Sequence, residues 1–130
     1  TVMDGKRYYH APQAMTLTND GLNTAPNAWL LPTFDEYLLS YADRSAALDP
    51  QAAHIWNGSH EPFTSSIVID GMVVGIWRRT FKGKQVVIEM RSYRPLTGDE
   101  EQAVADAMQR FGDFLGTPVS ITPAASLASD

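Results

Sequence analysis

The basic side chains of this 130-residue chain are concentrated in one short stretch. Six of the ten Lys and Arg residues lie between positions 78 and 94, where Glu89 is the one acidic residue, so this stretch has a net charge of +5. The other four basic and fourteen acidic residues give a net charge of −10. Lys and Arg supply the affinity of proteins for the phosphate backbone of nucleic acids. The candidates for contact with such a backbone are the four that flank a predicted hairpin turn: Arg78, Arg79, Lys82 and Lys84.

A structural role would explain the same cluster. Lysines on an exposed hairpin keep a strand edge from pairing with other chains. The chain as a whole has a net charge of −5, which opposes binding to nucleic acid. Spacing alone leaves both interpretations open: a hairpin that binds along a phosphate backbone, and an ordinary solvated hairpin.

The sequence offers little for catalysis or for binding a metal or cofactor. His10, His54 and His60 lack the spacing of metal ligands, and we interpret each as a solvated loop residue. Cysteine is absent, which excludes disulfides and thiolate metal sites. The chain contains no nucleophile elbow, phosphate-binding loop or dinucleotide motif. We therefore predict no catalytic residue, no metal and no cofactor.

Three carboxylates near the middle of the chain are of the type that acid–base catalysis uses: Asp35, Glu36 and Asp43. A structural role fits them better. The run Thr33-Phe34-Asp35-Glu36 is a capping box, which predicts the start of a short helix. Asp43 is next to Arg44, which favours an ion pair.

Turn signals place the basic residues on a hairpin. Asp70-Gly71 lies between two β-branched runs, and Lys82-Gly83 predicts a second turn. A two-residue turn there would pair Trp77 with Ile88, and alternation then predicts two apolar faces. One face would contain Val73, Trp77, Phe81, Val86, Ile88 and Met90. The opposite face would contain Ile67, Ile69, Met72, Val74 and Ile76.

A strand that is apolar on both faces needs a cover on each side. A second capping box at Thr97-Gly98-Asp99-Glu100 begins a helix with one apolar stripe, and Gly116 can end it. We therefore predict an α+β fold, mostly antiparallel β: a small β-barrel, a short capped helix near Phe34 and a long C-terminal helix packed outside.

The chain is predicted to be one part of a longer protein. It begins with Thr1, and ordered-looking sequence starts at once. We assign residues 1–122 to a single C-terminal barrel domain and residues 123–130 to a flexible tail. No apolar run approaches the roughly 20 residues of a membrane span, so no membrane partner is predicted.

Three blocks of sequence resemble the C-terminal part of one bacterial family. They are L-P-T-F-D-E-Y-L-L-S-Y-A-D-R-S-A-A-L-D-P at 31–50, I-V-I-D-G-M-V-V-G-I-W-R-R at 67–79, and an R-P-L-T capped helix that ends in F-L-G. Residues 1–9 resemble the strand pair just before them. The family is that of winged-helix DNA-binding proteins that includes the AlkZ and YcaQ alkylation-repair DNA glycosylases.

The resemblance implies tandem winged-helix modules, absent here, followed by a C-terminal β-barrel. The family's Gln-based catalytic motif lies in the winged-helix part, and Gln13, Gln51 and Gln85 do not match it. The implied partners are duplex DNA and winged-helix modules of the same chain, in the bacterial cytoplasm at the nucleoid. The first block is predicted to be a structural or docking element through Phe34, Asp35, Tyr37, Tyr41, Asp43 and Arg44.

Three hypotheses follow for function. The first is an accessory domain of a DNA-binding protein, for example a repair glycosylase, with the basic hairpin near DNA. The second is a structural barrel that docks onto winged helices without touching DNA. The third is a free-standing barrel that binds a small ligand.

Overall fold

The computed structural model describes residues 1–3, 5–9, 25–50 and 64–123. Two short strands, β1 (Val2–Met3) and β2 (Lys6–Arg7), form an N-terminal hairpin. The main sheet contains β3 (Ala28–Leu31), β4 (Ser66–Ile69), β5 (Met72–Lys82), β6 (Gln85–Ser92) and β7 (Val119–Pro123). The helices are α1 (Glu36–Leu39), a 3₁₀ helix (Ser45–Ala47) and α2 (Gly98–Leu115).

The main sheet formed by these strands is open, so the predicted barrel was wrong. Its strand order is β3-β4-β5-β6-β7, and all neighbours are antiparallel except β6 and β7, which are parallel. Helix α2 is the crossover between these two, and it places β7 at the edge opposite β3. The prediction of an α+β, mostly antiparallel fold is confirmed. Helices, and not closure of the sheet, cover the two faces of the central strands.

Helix α2 covers one face of the sheet. Trp77 and Ile88 pack there against Val104 and Met108, and all four are buried. The Trp77 ring meets the Phe111 ring edge-on, with centroids 5.3 Å apart. The indole N–H of Trp77 donates to a backbone carbonyl of β3, 2.9 Å away, so this core residue has no unsatisfied polar group.

Helix α1 and the 3₁₀ helix cover part of the other face. Leu38 from α1 is buried against Val68, Val73 and Tyr93. The Tyr37 hydroxyl donates to the carbonyl of Gly71 in the β4–β5 turn, 2.6 Å away. Helix α1 is thereby held at the end of the β4–β5 hairpin.

The central hairpins differ from the predicted register. The Asp70-Gly71 turn is confirmed, with positive φ at both residues, as a type I′ turn requires. The next turn is Gly83-Lys84, because Lys82 pairs with Gln85. Trp77 consequently pairs with Met90 and not with Ile88. Glycine at the first central position suits a type II′ turn, which accounts for the two-residue shift.

A β-bulge in β5 redistributes the apolar residues between the two faces. Ile67 pairs with Gly75 and Val68 with Val73, so Val74 is an extra residue. The bulge moves Val73 to the face opposite the one predicted, because it breaks the alternation of side chains. The face under α2 contains Ile67, Ile69, Val74 and Trp77, whereas the other contains Val68, Val73 and Ile76.

The ends of the helices follow local sequence signals. Thr97 and Glu100 form the predicted capping box of α2, and Gly116 ends the helix at φ 62°. Helix α1 is capped by Asp35 and not by Thr33, since Phe34 has φ 60° and belongs to the preceding turn. The Asp35 carboxylate accepts from the Tyr37 N–H at 2.9 Å.

Candidate nucleic-acid interface

The strongest candidate site is the hairpin formed by residues 78–89, here called the basic hairpin. The last pair between β4 and β5 is Ser66 with Ile76, whereas β5 continues to Lys82 beside β6. Among the described residues, the distal half of β5 therefore has a strand neighbour on one side. The basic hairpin extends past the end of β4.

All four predicted contact residues are exposed on the basic hairpin. Arg78 lies opposite Glu89 and Arg79 lies opposite Ile88, so the two arginines point to different faces of the sheet. Lys82 and Lys84 flank Gly83 at the tip. The hairpin can therefore present positive charge from both faces and from its end.

Arg79 is held by aromatic rings. Its guanidinium carbon lies 5.9 Å from the centroids of both the Trp77 and the Phe111 rings. A cation at this distance from a ring face is attracted by the ring quadrupole. The side chain is therefore oriented along the face that α2 covers, and its charge stays accessible.

An open groove of about 610 Å³ runs beside the basic hairpin. Three arginines line it, Arg78, Arg79 and Arg91, together with one acid, Glu89. Hydroxyl side chains that line the groove include that of Ser65. Arg91 was counted in the basic stretch but not among the site residues. Residues two apart in a strand lie on the same face of a sheet. The spacing between Glu89 and Arg91 in β6 could therefore have placed Arg91 on the same face as Glu89.

Arg94, by contrast, is removed from the basic surface. Its Nη1 and Nη2 donate to the two carboxylate oxygens of Glu100, each at 2.8 Å, and its Nε donates to Asp49 at 2.8 Å. The Glu100 carboxylate raises the pKa of Arg94 further above its ordinary value. The cation is neutralised where α2 begins and is not available to a phosphate.

Acid is expected to weaken this network. The bond from Arg94, followed by those from Thr97, lowers the pKa of Glu100 to about 2 from an ordinary 4.5. Because the pKa is lower in the folded state, the stabilisation is present above about 4.5 and is lost as the pH falls towards about 2. The free energies of unfolding of the chain and of Glu100→Gln should differ by about 1 to 2 kcal/mol at neutral pH, after allowance for solvent screening. If the difference between the two free energies of unfolding stayed constant as the pH fell to about 2, the lowered pKa of Glu100 would be contradicted.

The first resemblance block does not form an acid–base pair. Asp35 caps α1, whereas the Asp43 carboxylate accepts bonds from Lys6 and from the N–H and hydroxyl of Ser45. Arg44 donates from Nε to the carbonyl of Leu38. Phe34, Tyr37 and Tyr41 are exposed. Asp35 thus has the predicted capping role, whereas Asp43 pairs with Lys6, 37 positions away, and not with Arg44 as its neighbouring position had favoured.

Several residues considered from the sequence lie outside the described part of the chain. They are the three histidines, Gln13, Gln51 and the tail at 124–130. Gln85 is exposed at the start of β6. Within the described ranges, no group of three His, Asp or Glu side chains could hold a metal ion. In the same ranges, no helix has the length and apolar character needed to cross a membrane.

The fold and the site define a small α+β domain that carries a basic hairpin and an arginine-lined groove on an open sheet. A sequence model of the DNA glycosylase AlkZ-like family matches residues 1–114. The chain therefore belongs to the AlkZ-like DNA glycosylase family, which confirms the family resemblance.

Comparison with solved structures finds a DNA glycosylase AlkZ from Streptomyces sahachiroi, at 22% sequence identity and a TM-score of 0.49. The match covers 75% of this chain and 26% of that protein, so the chain spans about a quarter of the relative's length. No curated protein sequence matches the chain.

Proposed function

We propose that this chain is an accessory β-domain of a DNA-repair glycosylase and that the basic hairpin contacts the DNA backbone without reading the base sequence. Membership of the AlkZ-like family supports DNA as the target. The observation that carries the proposal is the exposure of Arg78, Arg79, Lys82 and Lys84 on a hairpin that extends past β4.

The hairpin suits contact with phosphates better than recognition of bases. Base recognition requires donors and acceptors set in a fixed plane, whereas phosphate contact requires accessible cations. Lys82 and Lys84 are flexible point charges at the tip, and Arg79 is oriented by Trp77 and Phe111. Phosphates that approach either face of the sheet would meet one arginine together with the tip lysines.

The affinity of the chain itself is expected to be low. Non-specific DNA binding at physiological salt is typically in the range of about 10⁻⁴ to 10⁻⁶ M, and four cations place this chain at about 10⁻⁴ M or weaker. The hairpin is therefore proposed to add to binding by winged-helix modules of the same protein. Base excision is proposed to occur outside this chain.

Removing both tip lysines should weaken DNA binding without affecting the fold. Lys82→Ala/Lys84→Ala is expected to reduce affinity for duplex DNA at low ionic strength and to lower the salt slope by up to about two units, close to one per phosphate contact. The free energy of unfolding should change by less than about 0.5 kcal/mol, because both side chains are exposed. Fluorescence anisotropy across a salt series measures the affinity and the slope, and urea denaturation measures the stability.

The matched control is Lys82→Arg/Lys84→Arg, which keeps both charges and should keep the slope. An unchanged slope in the alanine variant would assign the hairpin to a purely structural role.

Docking onto winged-helix modules is the alternative function. Phe34 and Tyr41 favour it, since both aromatic side chains are exposed in the first resemblance block. Exposed aromatics of this kind are enriched at protein interfaces. A ligand-binding barrel is not retained, because the sheet formed by the described strands is open.

A further inference from the structure

A second concavity lies away from the basic hairpin, between the N-terminal hairpin and the segment that joins α1 to the 3₁₀ helix. Its volume is about 460 Å³, within the range of small-molecule sites. We call it the tyrosine cleft, because four tyrosines line it: Tyr8, Tyr9, Tyr37 and Tyr41.

The walls of the tyrosine cleft are joined by an ion pair. Lys6 of β2 bonds to Asp43, and the Lys6 ammonium also donates to the Ser45 hydroxyl at 3.0 Å. Lys6, followed by Ser45, holds the pKa of Asp43 well below its ordinary value. The ion pair between Lys6 and Asp43 therefore persists into acid and holds the N-terminal hairpin against the rest of the domain.

The cleft is positively charged as well as aromatic. Its lining residues include the three cations Lys6, Arg7 and Arg44 against the single anion Asp43, a net charge of +2. Lys6 and Asp43 neutralise each other, so the excess charge belongs to the two arginines. Arg44 is anchored by its Nε on the Leu38 carbonyl, whereas Arg7 is exposed on β2.

Tyrosine rings beside arginines are the chemistry that recognises an unpaired nucleotide. Exposed bases stack on tyrosine whatever their identity, and arginine binds the attached phosphate. A base inside a duplex cannot reach such a surface, because its faces are covered by its neighbours in the stack. The size of the cleft also limits its occupant to about one nucleotide.

We propose that the tyrosine cleft binds a single unpaired nucleotide of DNA, with its base against the tyrosine rings and its phosphate at Arg7. This is a second DNA contact, distinct from the backbone contact proposed for the basic hairpin, and it rests on the proposed function for DNA as the target. It gives the domain a preference for DNA that contains unpaired bases.

The test uses this chain and a fluorescein-labelled oligothymidylate, with a blunt duplex of equal length for comparison. Tyr9→Ala and Tyr41→Ala remove one ring from each wall at positions that are 87% and 69% exposed, so the fold should be kept. Each is expected to weaken binding to the single strand roughly tenfold, and binding to the duplex by much less. Tyr9→Phe and Tyr41→Phe are the matched controls and should bind as the unmodified chain does, since stacking needs the ring alone.

Arg7 provides an independent measurement on the same probe. Arg7→Ala should lower the salt slope for the single strand by about one unit, and Arg7→Lys should restore it. The Lys82→Ala/Lys84→Ala variant should retain the preference for the single strand, so failure of the hairpin proposal and failure of this one are distinguishable. Unchanged single-strand binding in both tyrosine-to-alanine variants would overturn the proposal and leave the cleft to a protein partner. An equal loss for single strand and duplex would also overturn it.

Discussion

Gly75→Ala is expected to destabilise the fold by about 3 kcal/mol or more. Gly75 is buried in β5 beside the bulge, where it pairs with Ile67 on one side and Ser92 on the other. A β-carbon at this position would lie 2.4 Å from the carbonyl oxygen of Arg91 and 3.0 Å from the Cα of Ser92. Both are backbone atoms of β6, so the clash can be relieved only by separating two central strands. Equilibrium denaturation followed by tryptophan fluorescence measures the loss.

Gly98→Ala is the matched control for this prediction. Gly98 is exposed in the first turn of α2, and a β-carbon added there would meet no heavy atom within 4 Å outside its chain neighbours and the helix backbone. Alanine there should leave stability unchanged or raise it by up to about 1 kcal/mol, because it reduces the entropy of the unfolded chain. Equal denaturation midpoints for Gly75→Ala and Gly98→Ala would show that β5 does not approach β6 closely at Gly75.

Arg94→Met is expected to cost about 2 to 4 kcal/mol of stability. Methionine keeps the apolar stem but leaves the carboxylates of Glu100 and Asp49 without their shared cation. The side chains of Arg94, Glu100 and Asp49 are only 19%, 15% and 14% exposed, so water cannot fully replace the lost bonds. The substitution also loosens the α2 N-terminus, because Glu100 belongs to the capping box. Urea denaturation at neutral pH measures the effect.

Lys6→Met is the matched control for Arg94→Met, because it breaks an ion pair whose partners are half exposed. Lys6→Met should lower the free energy of unfolding much less than Arg94→Met does, since solvent and salt screen the pair between Lys6 and Asp43. In a double-mutant cycle, Arg94→Met and Glu100→Gln should be non-additive by about 1 kcal/mol or more. Additive costs would mean that the two side chains do not stabilise the fold as a unit.

The Arg94 network also joins segments that the sequence shows separately. Asp49 is the second-last residue of the first resemblance block, whereas Arg94 and Glu100 belong to the third. Their bonds tie the segment after the 3₁₀ helix to the start of α2. Arg94, which contributes to the basic stretch in the sequence, therefore has a structural role in the fold.

The sequence by itself determined the features that depend on a few neighbouring residues. Asp70-Gly71 specifies a turn, because both positions must adopt positive φ. Thr97 and Glu100 specify the start of α2, because each satisfies a backbone N–H of the same turn. The exposed cations of the basic hairpin and the family resemblance were likewise readable from the order of residues.

The tertiary structure alone decided how these pieces combine. Over the described residues the sheet is open because its edge strands, β3 and β7, do not pair with each other, and no local pattern distinguishes this from closure. The bulge at Val74 depends on pairing with β4 and reverses the faces that alternation predicts. The partners of Arg94 and the walls of the tyrosine cleft lie far apart in the chain, with Lys6 reaching Asp43 across 37 positions. Contacts of this kind are fixed by packing and electrostatics between elements, which the spacing of residues along one segment does not record.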